Sequence, residues 1–197
     1  MSISNGYATL AQVKSALRIS DTIDDSILEM AITSASRLID GYANRIFYNA
    51  GTATRVYASY SSYVSDIDDV ISVSEIATSS TSNWDTVWST ADYQLEPLNG
   101  LVDGIPVPYN RIRAIGSQVF SDTTGEANVR VTGTWGFSSV PTVISQACVL
   151  QASRIYKRND SPLGVAGFGD LGAYRVSSRL DPDVAQLVEP YRIIRAA

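Results

Sequence analysis

Residues 23–46 read IDDSILEMAITSASRLIDGYANRI. Within them Ile27, Leu28, Ala31, Ala35, Leu38, Ile39 and Tyr42 recur every three or four positions, the spacing at which side chains share one face of an α-helix. Asp24 and Asp25 stand at the start, where the helix dipole favours carboxylates. Arg37 and Arg45 stand toward the end, where it favours cations. The stretch predicts a long amphipathic helix over 23–46 and puts a helical layer at the centre of the fold.

Working outward, Thr9-Leu10-Ala11-Gln12 has the form of a capping box, and Leu10, Val13 and Leu17 follow at helical spacing, so a short helix is expected to end near Arg18. On the other side the pattern changes. From Thr52 to Gly136 no helical period is present. Arg55-Val56-Tyr57, Val70-Ile71-Ser72-Val73, Val87-Trp88, Tyr93-Gln94-Leu95, Arg111-Ile112-Arg113 and Val129-Arg130-Val131 read as short strands. Asn99-Gly100, Asp103-Gly104, Pro106, Pro108 and Gly125 supply turns between them. Thr78 to Asn83 reads as an exposed loop. Helix returns after Pro141, a good first-turn residue. Val143, Ala147, Leu150 and Arg154 mark one face, and Ile144, Cys148, Gln151 and Ile155 its neighbour. Lys157-Arg158-Asn159 closes the helix, and Cys148 is expected as a buried, inert thiol.

Residues 160–176 are glycine-rich. Gly167, Gly169 and Gly172 spell G-x-G-x-x-G, but a dinucleotide site needs a strand before the motif and a helix after it; here a helix precedes and the short strand Ala173–Val176 follows. A mobile loop fits better. Phe168 and Leu171 are its bulky anchors, so Gly164, Phe168 and Leu171 are expected to order against a neighbouring subunit. The tail restarts at Asp181-Pro182-Asp183, an N-cap followed by a first-turn proline. Val184, Leu187 and Val188 line a two-turn helix that Pro190 ends. Tyr191, Ile193 and Ile194 then alternate with Arg192 and Arg195. Such an arm either tucks on its own core or docks on a partner, and aromatic residues with arginine are the composition of interface anchors.

Composition narrows the chemistry. The 197 residues are 45% hydrophobic and 18% charged, with no histidine and one cysteine. That removes Ser-His-Asp and Cys-His catalysis, histidine-ligated metals, all-cysteine metal centres and any internal disulfide. Asp24-Asp25 is explained by the helix dipole. Asp66, Asp68 and Asp69, read as a loop before a strand, could hold Mg²⁺ or Ca²⁺, but the Gly and Glu of an EF-hand are missing and a solvated turn is the reading adopted. Lys14-Ser15 has no oxyanion motif beside it. Trp84, Trp88 and Trp135 could receive a sugar or peptide, although packing is their commoner use. No catalytic, cofactor or metal site is therefore expected. The net charge is −5: residues 1–150 carry 8 basic and 15 acidic side chains, residues 151–197 carry 7 and 5. An acidic chain with two lysines lacks the basic footprint of a nucleic-acid-binding face. No stretch suits a membrane span, a signal peptide or an internal repeat.

The order of these pieces resembles the tailed-bacteriophage head-to-tail connector (adaptor, or head-completion) family. The amino-terminal half is similar in Tyr7–Lys14, Asp24–Leu28, Ala35–Asp40 and Arg45-Ile46-Phe47. The carboxy-terminal half is similar in Gly133–Gly136, Pro141, Ala147, Ala152–Tyr156, Arg158, Ser161–Gly164 and Asp181–Asp183. The resemblance implies an α+β fold: a single domain with a small helical bundle core (9–47 and 140–159), an inserted antiparallel β unit (52–136), the glycine-rich loop (160–176) and an extended C-terminal arm (177–197). It implies a structural virion protein, made in the host cytoplasm and placed at the head–tail junction. Copies, typically twelve, would form a ring beneath the portal protein through which DNA passes without specific binding. The next neck or tail-completion protein would take the opposite face. The portal arm would be Asp181, Pro182, Leu187, Tyr191, Arg192, Ile194 and Arg195. The competing expectation is a binding module that uses the β unit and its tryptophans for a glycan or peptide.

Overall fold

The computed structural model describes residues 3–79, 83–120, 126–158, 165–167, 173–175 and 180–194. The chain divides into a helical unit, Met1–Phe47 with Val140–Ala197, and a β unit, Tyr48–Ser139. The α+β class is borne out.

The helical unit begins with α1 (Leu10–Leu17). Its capping box is formed: Thr9 Oγ1 accepts from the Gln12 amide at 3.2 Å and Gln12 Oε1 accepts from the Thr9 amide at 2.7 Å. Helix α2 (Asp25–Ala43) stops three residues before the predicted end, because Asn44 takes a left-handed conformation at φ 54°. Arg45 therefore lies beyond the helix and donates to the Tyr191 carbonyl at 3.0 Å. The buried face of α2 is Leu28, Ala31, Ile32, Ala35, Ile39 and Ala43, while Ile27 and Leu38 of the predicted stripe are each 39% exposed. Helix α3 (Thr142–Lys157) has Pro141 as its N-cap residue and buries Ile144, Ala147, Cys148, Gln151 and Ala152. Leu150 and Arg154, from the face predicted to be apolar, point outward. Helices α2 and α3 run antiparallel. Ser36 Oγ lies 3.4 Å from Cys148 Sγ near their middles, and the Tyr156 hydroxyl donates to Asp24 at 2.6 Å where α3 ends and α2 begins. Burial pushes the Cys148 thiol up, in keeping with an inert core cysteine.

Tyr7 ties the unit together. Its amide donates to Ser36 Oγ at 3.0 Å, its hydroxyl donates to Asp40, and the same oxygen accepts from the Phe47 amide at 2.8 Å. Its ring meets Phe47 edge-on at 5.7 Å. Burial holds the Asp40 carboxyl above its ordinary value, against the opposing pull of the Tyr7 hydroxyl and of Arg37, whose Nε is 3.1 Å away.

The β unit is a six-stranded antiparallel sheet. Its strands are β1 (Asn49–Ala58), β2 (Val64–Thr78), β3 (Thr86–Val87), β4 (Tyr93–Glu96), β7 (Tyr109–Ala114) and β8 (Ala127–Gly136), in the order β1-β8-β2-β7-β4 with β3 paired to β2. A separate hairpin joins β5 (Leu101–Val102) and β6 (Ile105–Pro106). Alternation along the strands sends Ile67, Val70, Ile76, Ile112, Val129, Val131 and Trp135 to one buried face. Trp88 closes it, stacked on Phe120 at 4.8 Å and donating from Nε1 to Thr78 Oγ1 at 3.0 Å. Thr78 and Ser79 are accordingly buried, contrary to the exposed loop predicted there; residues 80–82 lie outside the described residues. At Gly136, φ is +92° and a Cβ would collide with the Tyr48 carbonyl.

In the chain's later part, β9 (Val165–Gly167) and β10 (Ala173–Arg175) pair antiparallel, and Val176, the last residue of the predicted strand, lies outside the described residues. The rest of the glycine-rich segment, including the predicted contact residues Gly164, Phe168 and Leu171, lies outside the described residues.

Two outcomes are expected. Gly51 also has a positive φ, +80°, but open space where a Cβ would go. Gly51→Ala should cost about 1 kcal/mol from backbone strain alone, and Gly136→Ala about 3 kcal/mol from strain plus the collision. Equal melting temperatures for the two variants would contradict the packing at Gly136. For Asp40, a raised value means the folded state holds its proton more tightly than the unfolded chain does. Its contribution to stability therefore falls as pH rises from the ordinary carboxylate range through the raised value. Asp40→Asn cannot titrate, so its stability relative to wild type should rise as pH climbs from the ordinary carboxylate range in denaturant titrations. A pH-independent difference would rule this out.

Candidate partner-binding site

The predicted arm begins as expected. Helix α4 (Pro182–Val188) has Asp181 as its N-cap, accepting from the Asp183 amide at 3.0 Å, with Pro182 in the first turn. The remainder differs from an extended arm. Val184 and Val188 are fully buried, and the Asp181 amide donates to the buried Gln151 side chain at 3.3 Å. Arg154 on α3 reaches both Asp181 and Asp183. A 3-10 turn, Glu189–Tyr191, follows, so Pro190 bends the helix rather than ending all helical structure. Tyr191 is buried, its ring edge-on to Phe47 at 5.7 Å.

The segment then runs along the end of α2. The Ile193 amide donates to the Ala43 carbonyl at 2.9 Å and Asn44 Nδ2 donates to the Ile193 carbonyl at 3.1 Å. Tyr42 donates to Glu189, and the Arg192 guanidinium lies over the Tyr42 ring at 5.3 Å. The first of these bonds satisfies the Ala43 carbonyl, one of those that the end of a helix leaves without intrahelical partners. Of the two sequence readings, tucked or docked, the described tail is tucked, because its apolar residues fit faces that α2 and α3 leave open.

The candidate arm residues thus separate. Tyr191 is a core residue, and Asp181 and Leu187 are partly buried. Pro182, Arg192 and Ile194 are on the surface, Ile194 at 82% exposure. Arg195 lies outside the described residues. Sequence reading missed the receiving side, Tyr42, Asn44 and Arg45. The Asn-Arg pair directly after a long apolar stripe was the signal available.

The other candidates resolve into structure. Asp66, Asp68 and Asp69 lie within β2, not in a loop. Asp66 pairs with Arg111 at 2.7 Å, Asp68 with Arg55 at 2.9 Å, and Asp69 turns to the buried side. Arginines on β1 and β7 meet the carboxylates of this strand. Among the described residues no group of three or more His, Cys, Asp or Glu could hold a metal ion. Trp88 and Trp135 are core side chains; Trp135 donates to the Ala53 carbonyl at 2.8 Å and lies 4.5 Å beneath Arg55. Trp84 is half-buried with Arg130 over its ring at 5.5 Å. The indoles therefore offer no open platform for a glycan. No described helix is long and apolar enough to cross a membrane.

A truncation tests the tail. A chain ending at residue 180 loses Val184, Val188 and Tyr191 from the core, on the order of 5 kcal/mol of burial. It should lose helical signal and melt well below the full chain in circular dichroism, while a chain ending at Ile194 should melt as the full chain does. An unchanged melt for the shorter chain would refute the docked tail.

Residues 7–96 match the model of a family described as phage gp6-like head-tail connector protein. Two solved structures have a similar fold. One is a chain of "Neck of empty GTA particle computed with C6 symmetry", with a TM-score of 0.59, 18% identity, and coverage of 100% of this chain and 95% of that one. The other is from "Neck of native GTA particle computed with C12 symmetry", with 0.58, 16%, 100% and 94% respectively. At such identities the likeness is one of fold. No curated protein matches the chain. The resemblance to the tailed-bacteriophage head-to-tail connector family is borne out by a family match spanning residues 7–96.

Proposed function

We propose that this chain is a structural subunit of a ring, built of twelve copies, at the head–tail junction of a tailed-phage-type particle. It docks on the portal protein after DNA packaging and joins it to the next neck or tail-completion protein. It is made in the host cytoplasm and ends in the virion. The observation that carries this reading is the connector-family match over residues 7–96. The likeness to neck chains over the whole length agrees with it in fold.

The chemistry is compatible. A ring that DNA traverses works best with weak hold on phosphates, and strength of hold rises with the number of phosphates neutralised. All four arginines of residues 48–139 are paired with carboxylates: Arg55 with Asp68, Arg111 with Asp66, Arg113 with Glu96 and Arg130 with Glu75. For the portal contact, the surface members of the tail, Pro182, Arg192 and Ile194, are the candidates, with Arg195 following them in sequence. Gly164, Phe168 and Leu171 are kept as candidates for contact between subunits. The role is contact rather than catalysis.

Electron microscopy of the full chain mixed with its portal should show a ring seated on the portal. Arg192→Glu with Ile194→Glu should fold normally and reduce portal binding at least tenfold. No ring at any mixing ratio would overturn the reading. Undiminished binding by the folded double variant would remove the tail from the portal contact.

A further inference from the structure

Helix α2 has a second apolar stripe that the core does not use. Ile23, just ahead of the helix, is 84% exposed, Ile27 39% and Met30 54%. Ile27 and Met30 are three residues apart within the helix, so they lie on one side of it, away from the face of Leu28, Ala31, Ile32 and Ala35 that packs inward, and Ile23 precedes them in the turn before Asp25. Neighbouring exposed apolar side chains mark a contact surface more often than isolated ones do. The flank of the stripe is acidic. Asp21 is exposed beside it, its carboxylate accepting from the Ile23 amide at 3.1 Å, and Glu29 lies within the same turn of helix.

Helix α3 carries the complementary surface. Leu150 is 44% exposed, and Lys157 is exposed two turns further on, on the face turned away from Ile144, Cys148 and Gln151. One face is thus apolar with carboxylates, and the other is apolar with a cation. Neither can satisfy the other within one chain, because α2 and α3 already pack through the opposite sides of both helices.

The antiparallel arrangement fixes their level. Tyr156 donates to Asp24, so the start of α2 and the end of α3 lie at the same end of the bundle. Copies related by rotation about an axis along these helices would bring the two faces together at matching height. A contact between two different faces repeats from copy to copy and closes into a ring when the rotation divides a full turn.

We propose that Ile23, Ile27 and Met30 of one copy dock against Leu150 and Lys157 of a second copy of this chain. This rests on the ring reading above and assigns the faces that make the ring. The sole native cysteine is buried, so engineered cysteines report contacts cleanly. A mixture of full-length Met30→Cys and Leu150→Cys chains, oxidised after assembly, should give a disulfide-linked dimer, and either variant alone should not. Met30→Glu should keep the wild-type melting temperature, because the side chain is exposed, yet lose the ring species in mass photometry; adding Lys157→Glu should not restore it. Wild-type rings with no mixed cross-link, together with rings from folded Met30→Glu, would overturn this contact and leave the ring reading standing. Absence of rings from the wild-type chain, alone and on its portal, would overturn both.

Discussion

The phenol of Tyr7 is the joint on which the helical unit depends. One oxygen both donates to a carboxylate on α2 and accepts from the amide of Phe47, where the chain leaves for the β unit. The same residue's amide holds Ser36, whose hydroxyl donates to the Ile32 carbonyl at 2.8 Å and lies against Cys148. Its ring begins the sequence Tyr7, Phe47, Tyr191, each edge-on to the next. Four segments far apart in sequence are thus fixed at one place. A buried network of this kind specifies geometry strongly because a missing member leaves an unpaired polar group.

What the sequence made legible follows range. The capping box at Thr9 and Gln12 and the Asp181-Pro182 start of α4 are local bonds between residues a few positions apart, and both formed as read. The strands also announced themselves, by alternation. Asp66 to Asp69 did not, since a run of carboxylates resembles a turn until Arg55 and Arg111, from other strands, stand beside it. The core stripe of α2 was misaligned for a related reason: Ile27 and Leu38 are as apolar as Leu28 and Ile39, and only the position of α3 decides which face is inside. The candidate portal residues were chosen from the aromatic-arginine pattern of the tail. That pattern cannot distinguish an anchor for a partner from an anchor for Phe47 and Tyr42, because burial against either requires the same chemistry.

The arginines of the β unit show how an acidic chain keeps charge without presenting it. Each sits across from a carboxylate, and two also cover indole rings. Exposed pairs of this kind add about 0–1 kcal/mol to stability, so their effect is mainly on the surface field. Cation and anion are delivered together, so the four arginines add little positive field to a stretch that carries ten acidic side chains.

The bond from Ile193 to the carbonyl of Ala43 carries a consequence for synthesis. The β unit is one continuous stretch, and all its residues precede α3, α4 and Ile193 in the order of synthesis. The helical unit is split, and the Ala43 carbonyl at the end of α2 must wait for Ile193, 150 positions later, to receive its partner. Closing so long a loop carries an entropic cost that nearby pairings avoid. The helix that comes early in the sequence is therefore capped late, after the whole β unit has been made.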